Sequence, residues 1–394
     1  MLNLKRFIYF LVVCLVFLPN CARQSGLGTE LEPQAAVDPL RLRAAEITSS
    51  IDDRLLAAQL LISGIDGRER LPQNMIDLFT EIPPGGIMLF RYNLNTNADT
   101  IRSFLRLTSR FINEKSGFPP FMAVDHEGGT VNRLPRGIAV LPAASSYWDL
   151  FQAEGRRAAI LKIETDSLKA GRELNDLGIN MNFAPVAEHL IDENRAFLVR
   201  RSYGPDPVFT AQAAAAFMRN MQQSGVLCVV KHFPGSAGPD PHYSASVLNT
   251  DRASLDTLAS PFSYVINSGA RAIMAAHTAV PVIDSKIASL SSLVMGGWLR
   301  GEMGFNGIII SDDFIMAAAG SQKPEDAAVL SIIAGSDMIL VWPAHLRQTH
   351  QAILTALENE SLSRERFLDA ASRVIYEKLR MGLILPEETP GEVP

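Results

Sequence analysis

The sequence predicts a single (β/α)₈ barrel. Three observations carry that expectation: eight short apolar runs, longer amphipathic stretches between them, and polar residues gathered at the ends of four of the runs. The runs are Leu60–Gly64, Gly86–Phe90, Phe121–Val124, Ile179–Phe183, Val226–Val230, Ala272–Ala276, Gly307–Ile310 and Met338–Val341. Each carries at least one β-branched residue, and their length suits strands better than helices. The intervening patterns include Thr96–Ile112, Ala158–Leu177, Pro207–Gln223 and Ser291–Met303, each with helical spacing of apolar positions. A chain of 394 residues has room for two or three domains. A single barrel nevertheless routinely exceeds about 250 residues, and no shift in composition marks a second unit. Residues 43–386 are therefore expected to form one catalytic barrel, and residues 387–394 a disordered tail.

The first 21 residues read as a signal peptide. Lys5-Arg6 form a basic start, and Phe7–Leu18 form an apolar core too short for a comfortable membrane span. The core ends in Leu18-Pro19-Asn20-Cys21, which resembles a bacterial lipoprotein cleavage box with Cys21 as the acylated residue. Asn20 departs from it, standing where a small residue is usual; ordinary cleavage nearby and a retained N-terminal anchor are the alternatives. The expectation is an exported lipoprotein, periplasmic or at the cell surface, held to a membrane by its N-terminal lipid. Residues 22–42 lack periodicity, contain Gly26, Gly28 and Pro33, and read as a flexible tether. Cys14 lies in the apolar core and would be lost on cleavage, which leaves Cys228 as the one unmodified thiol and excludes an intrachain disulfide.

Composition excludes several functions. A net charge of −6 and a pI near 5.7 provide no electrostatic footprint for nucleic acid. The seven histidines and three cysteines show no zinc spacing. His126-Glu127 begins an H-E-x-x-H look-alike, but Thr130 fills the fifth position and Gly128-Gly129 would break the required helix. There is no Walker loop, no G-x-G-x-x-G and no G-x-S-x-G elbow. No metal or cofactor is implied.

The strand ends are more informative. Phe121–Val124 is followed by Asp125, Val226–Val230 by Lys231-His232, Ile273–Ala276 by His277, and Gly307–Ile310 by Ser311-Asp312-Asp313. One such ending means little, because loops are solvated. Four point to a shared pocket, since barrel enzymes collect their chemistry at the carboxyl ends of strands. Carboxylates, a lysine, histidines and arginines without a metal cluster suit a polyhydroxylated ligand. Glycoside hydrolysis needs two ionisable groups flanking the bond. Asp312 is the candidate nucleophile or base, and Asp313 is expected to hold backbone or a loop. His277 stands between pocket lining and a satisfied core histidine.

These residues resemble glycoside hydrolase family 3, in its single-domain β-N-acetylglucosaminidase branch, from about Ile51 to Leu385. Gly85-Gly86-Ile87-Met88-Leu89-Phe90 is similar to the family's second-strand motif, and Val124–Leu134 to its D-Q-E-G-G-x-V-x-R-L segment. Asn182–Val186, Arg201–Gly204, Lys231–Gly235 (K-H-F-P-G) and Gly304–Asp313, the nucleophile strand, follow in order. Any one motif is weak; six in the correct order are specific. The resemblance implies an exo-acting, retaining enzyme that removes terminal GlcNAc from oligosaccharides or peptidoglycan fragments. Asp312 would attack the anomeric carbon. His242, in a triplet Asp240-Pro241-His242 matching the branch's D-S-H, would be the proton donor, with Asp240 orienting it. Asp125, Arg133, Arg201, Lys231 and His232 would bind the terminal sugar.

Three departures stand against the family pattern. The loop from Gly235 to Asp240 is about two residues short, proline replaces the middle serine of D-S-H, and Glu188 stands where an aspartate is common. The alternatives are a β-glucosidase of the same family and a sugar-binding surface lipoprotein without turnover. The Asp-x-His triplet argues against the first, and retention of Asp312, Asp240 and His242 argues against the second.

Overall fold

The computed structural model describes residues 38–387, apart from 239, 241–242, 317–319 and 321. Cys21 with its lipobox-like segment, the tether up to residue 37, His242 and the tail from 388 lie outside the described residues.

Eight parallel strands form the barrel: β1 (Leu61–Gly64), β2 (Gly86–Leu89), β3 (Phe121–Val124), β4 (Met181–Asn182), β5 (Leu227–Phe233), β6 (Ala272–Ala275), β7 (Ile308–Ser311) and β8 (Ile339–Val341). The ladder runs in sequence order from β1 to β7, and β8 pairs with β1 through Leu61–Ile339. The last gap is bridged between Ile310 and Met338, where the Ser311 amide donates to the Met338 carbonyl at 3.0 Å. Apart from a half-exposed Leu340, every strand position is buried. Helices cover the outside and side chains fill the inside, which is why the strands read as continuous apolar runs rather than as alternation.

All eight expected strands are present, six within one residue of their expected ends and two shifted further. β4 keeps only Met181–Asn182 of Ile179–Phe183, because asparagine side chains take over the ladder on either side. Asn180 Oδ1 accepts the Met122 amide at 2.7 Å, and the Asn182 amide group bonds both the N–H and the C=O of His126 at 3.0 Å. β5 runs past Val230 to Phe233, since Lys231 bridges to Val186 and Phe233 pairs with Ala275. Lys231 and His232 thus belong to the strand rather than to the loop after it.

Helix α1 (Pro39–Ser50) starts inside the segment expected to be a tether. Asp38 caps it by accepting the Leu40 amide at 2.9 Å, and Pro39 sits where its missing N–H costs nothing. Only Ala44 and Ile47 anchor it among its apolar side chains, against Ile375 and Leu379, too few for a periodic pattern to register. The covering helices include α2 (Arg156–Leu177), ended by left-handed Gly178, and α3 (Pro207–Gln223), capped by Asp206. The last, α4 (Arg364–Arg380), packs on α1. At the strand entrances the chain passes so close to its neighbours that only glycine fits. A Cβ on Gly85 would lie 2.0 Å from the Gln59 carbonyl, and one on Gly307 would lie 2.3 Å from that of Arg271.

Lys378 on α4 is fully buried at this end of the barrel. Its ammonium donates to Gln59 Oε1 at 2.7 Å and lies over the rings of Phe121 and Phe118, at 5.3 and 5.9 Å from their centroids. With no carboxylate partner among the described residues, burial pulls its pKa from an ordinary 10.5 down to about 7. Above that value the unfolded chain binds a proton that the folded chain does not, so stability should rise with pH from about 7 towards 10. In urea unfolding at pH 7, 8 and 9.5, the rise should appear in the wild type and flatten in Lys378→Met. Parallel curves for the two proteins would refute the account of this lysine.

Candidate active site

The carboxyl ends of the strands surround a cavity of about 380 Å³. Asp125, Arg133, Arg201, Lys231, His232, Asp240 and Asp312 all line it, as does His277. Every candidate residue within the described part of the chain therefore converges on one space. Phe183, Phe197, Met274 and Met316 supply its apolar wall.

Asp312 follows β7 directly, and its amide donates to the Ala275 carbonyl at 3.2 Å, so the last ladder bond fixes where the side chain starts. One carboxylate oxygen accepts the Asp313 amide at 2.8 Å. Burial pushes the Asp312 carboxyl up, but His277, His232, the Asp313 amide and Lys231 outweigh it and hold it below the ordinary carboxylate value. Lys231 is the constant cation among these, because burial drives His277 towards its neutral form. Asp312 is thus a half-buried, ionised carboxylate on the cavity wall. Asp313 points elsewhere: it accepts the Ile315 amide at 3.0 Å and the Trp342 indole N–H at 2.6 Å, which is the structural role expected of it.

His277 is both pocket lining and a satisfied buried side chain. Its Nε2 faces the Asp313 carbonyl at 3.0 Å, which can only accept, so Nε2 carries the proton. Nδ1 then accepts from the Ser289 hydroxyl at 2.7 Å, and the ring stacks on Phe314 with centroids 4.8 Å apart. The imidazole buttresses the turn that carries Asp312.

Glu127, to which the motifs assigned no role, is the hub of the opposite wall. Both its oxygens accept from Arg201 at 2.8 Å, in the planar fork that guanidinium and carboxylate share, and Lys231 lies 2.7 Å from Oε1. Lys231 also donates to Asp125 at 2.6 Å. Burial raises the Glu127 carboxyl, yet Arg201 and Lys231 together hold it far below the ordinary range. Arg201 lies over the Phe197 ring at 4.5 Å. Arg133 also reaches the cavity and, among the described residues, makes no ion pair, so its guanidinium is available to a ligand.

Glu188 does the same work on the other side. Its two oxygens take four donors: the His232 amide at 3.2 Å, His232 Nδ1 at 2.6 Å, and the Ser236 amide and hydroxyl, both at 2.6 Å. Against burial, those bonds hold its carboxyl below the ordinary value. His232 is therefore protonated on Nδ1 and turns Nε2 towards the Arg201 guanidinium at 3.4 Å. Glu188 also anchors the start of the short loop after β5. The Ala237 amide continues the anchorage to Ser246 Oγ at 3.1 Å, and the Gly238 amide to the Glu193 carbonyl at 2.8 Å. The loop delivers Asp240 to the cavity, while its partner His242 lies outside the described residues.

Two residues were thus missed. Glu127 could have been found from its spacing: two positions after Asp125 in an extended segment, it returns to the same side. Glu188 was visible only as a departure from a family pattern.

A parallel barrel whose mouth gathers an ionised carboxylate, forked arginine and a buried lysine, without a cofactor fingerprint, is the architecture of a glycosidase. Residues 57–376 match the model of the glycosyl hydrolase family 3 N terminal domain, and the chain belongs to that family. It is similar to a β-hexosaminidase of Neisseria gonorrhoeae (strain NCCP11945), 35% identical over 65% of this chain and 71% of the relative. Among solved structures, a family 3 β-N-acetylglucosaminidase from Paenibacillus sp. str. FPU-7 superposes with a TM-score of 0.78 and 30% identity, over 85% of this chain and 63% of that one. NagZ from Neisseria gonorrhoeae, in complex with N-trifluoroacetyl-D-glucosamine, superposes with a TM-score of 0.67 and 25% identity over 83% and 98%. The protein is a glycoside hydrolase.

Removing the charge of Glu127 should be felt by two buried cations at once. Glu127→Gln keeps the shape but leaves Arg201 and Lys231 with Asp125 as their remaining carboxylate, and should cost about 3 kcal/mol or more of stability in denaturant unfolding. A loss under about 0.5 kcal/mol, the size of an ordinary surface change, would contradict the hub role.

Proposed function

We propose that this protein is an exo-acting, retaining β-N-acetylglucosaminidase that removes terminal GlcNAc from oligosaccharides or peptidoglycan fragments. The observation that carries the reading is Asp312: a carboxylate kept ionised at the end of β7, in a cavity about the size of one sugar ring and walled by hydrogen-bonding groups. The names of the related enzymes support the choice of sugar.

In the first step Asp312 attacks the anomeric carbon and forms a covalent glycosyl-enzyme, while His242 protonates the leaving oxygen. In the second step His242 takes a proton from water, which attacks the same carbon and releases the sugar with its configuration retained. Asp240 orients the histidine and stabilises its cationic form. Asp125, together with Arg133, Arg201, Lys231 and His232, holds the sugar hydroxyls and the acetamido group. Charged partners make these hydrogen bonds stronger than neutral ones.

Chromogenic β-GlcNAc and β-glucoside substrates test this reading. We expect turnover of the β-GlcNAc substrate, and Asp312→Asn should lower it by roughly 10³-fold or more. Turnover of the glucoside alone would replace the substrate assignment, and turnover of neither would remove the catalytic one. A nitrophenyl leaving group needs little acid assistance, so His242→Ala should be far more damaging on a natural disaccharide, by about 10²-fold or more. Equal losses on both substrates would remove His242 from the proton-donor role.

The export reading belongs to the same proposal: residues 1–21 are a signal peptide, Cys21 is acylated, and the barrel acts on glycans outside the cytoplasm while tethered to a membrane. Mass spectrometry of the mature protein should find a diacylglyceryl-modified N-terminal Cys21, lost in Cys21→Ser. An unmodified N-terminus at another residue would exclude the anchor.

A further inference from the structure

The opposite end of the barrel holds a second recess, of about 210 Å³. Its walls come from α1, from the entrances of β6 and β7, and from α4. They carry four guanidiniums, Arg41, Arg271, Arg373 and Arg380, against one carboxylate, Glu377. Asp38, which accepts the Tyr376 hydroxyl at 2.7 Å, adds a second carboxylate at the rim.

The pairing inside this cluster is uneven. Arg271 is matched with the buried Glu377, and Arg373 reaches Asp369 and, at 3.6 Å, Asp337. Arg41 lies over the Tyr376 ring at 4.4 Å, and among the described residues neither it nor Arg380 makes an ion pair. Both are exposed at the mouth of the recess. Deeper in, Nε and Nη2 of Arg271, Nε of Arg373 and Oε1 of Glu377 are buried and make no hydrogen bond of ordinary geometry among the described residues, three donor atoms against one acceptor. The loop before β7 adds more donors. Its carbonyls at Phe305 and Gly307 are occupied by Arg300 at 3.2 and 3.1 Å, while the amides of Gly304, Asn306 and Gly307 meet no acceptor among the described residues. Four guanidiniums thus line one small concavity against a single lining carboxylate.

We propose that this recess is an anion site that takes a phosphate group. Several guanidiniums reaching in from different elements suit the several oxygens of a tetrahedral oxyanion, each fork taking two of them. The source of the phosphate is either a soluble phosphate or the headgroup of an anionic lipid. The second source rests on the export proposed above and fits the position of the recess, because α1 is the first helix among the described residues and Arg41 stands in its first turn. β6 and β7 begin at the recess and end at His277 and Asp312, so four-residue strands of about 3.3 Å per residue separate the two sites. Occupancy of one need not disturb the other.

The test is calorimetric and uses the full chain. Inorganic phosphate and glycerophosphoglycerol, the deacylated headgroup of an anionic lipid, are titrated separately against a chloride control of matched ionic strength. The same titrations are run on the double variant Arg41→Gln with Arg380→Gln, whose two positions are exposed. We expect saturable binding of at least one phosphate compound, weakened at least about tenfold in the double variant, for the loss of two charged hydrogen bonds. Preference for inorganic phosphate identifies a soluble source, and preference for the phosphodiester identifies a headgroup. Absence of saturable binding of both, or equal affinity in the double variant, overturns the proposal. Because binding is read directly, failure of the glycosidase assignment would leave this result unaffected.

Discussion

A buried carboxylate must be repaid for its lost hydration, and at Glu127 the repayment organises the site. Its two oxygens hold Arg201 and Lys231, which come from segments far apart in the chain. Lys231 in turn reaches Asp125 on the strand end from which Glu127 itself departs. The arrangement closes a circuit between β3, the loop after β4 and β5. None of the four side chains could keep its position alone: each is a charge removed from water, and each is tolerable only because the others are there. Glu188 repeats the device with four neutral or aromatic donors, fixing His232 and the root of the Asp240 loop together. Asp312 therefore meets a wall that is already assembled before a sugar arrives, which is the condition for electrostatic stabilisation without reorganisation.

The barrel makes such circuits possible by dividing labour between its two ends. Close approach governs the strand entrances, where Gly85 and Gly307 leave no room for a Cβ and Lys378 is sealed among aromatic rings. Polar side chains govern the strand exits. The same short strand that begins under Arg271 ends beside His277, and the strand that begins at Gly307 ends at Asp312. A few residues of extended chain separate a structural end from a chemical one.

Much of this was legible in the sequence, and the reason is periodicity. Strands covered on both faces read as unbroken apolar runs, so all eight could be located without a partner in view. Their ends could not be, where asparagine side chains replaced ladder bonds at β4 and where pairing carried β5 through Lys231 and His232. α1 escaped because its weakly amphipathic sequence offers two buried anchors and a cap but no stripe. Within the site, Asp312, Asp125, Lys231 and His232 announced themselves as polar residues closing apolar runs. Glu127 left only its spacing from Asp125 and Glu188 only a departure from a family pattern, because the role of a carboxylate that binds other protein groups emerges once the fold shows what it faces. The shortened loop is the converse case: the sequence showed its length, and the structure shows how Glu188, Ser246 and Glu193 root it.

The central claim is that Asp312 becomes covalently joined to the sugar. A GlcNAc-type glycosyl fluoride bearing a second fluorine at C5 slows both steps but leaves a good leaving group, so the intermediate should accumulate. Incubation followed by proteolysis and tandem mass spectrometry should find one sugar on the peptide containing Ser311-Asp312-Asp313, with fragmentation placing it on Asp312. An adduct on Asp313, or turnover of the reagent with no adduct at all, would contradict the account.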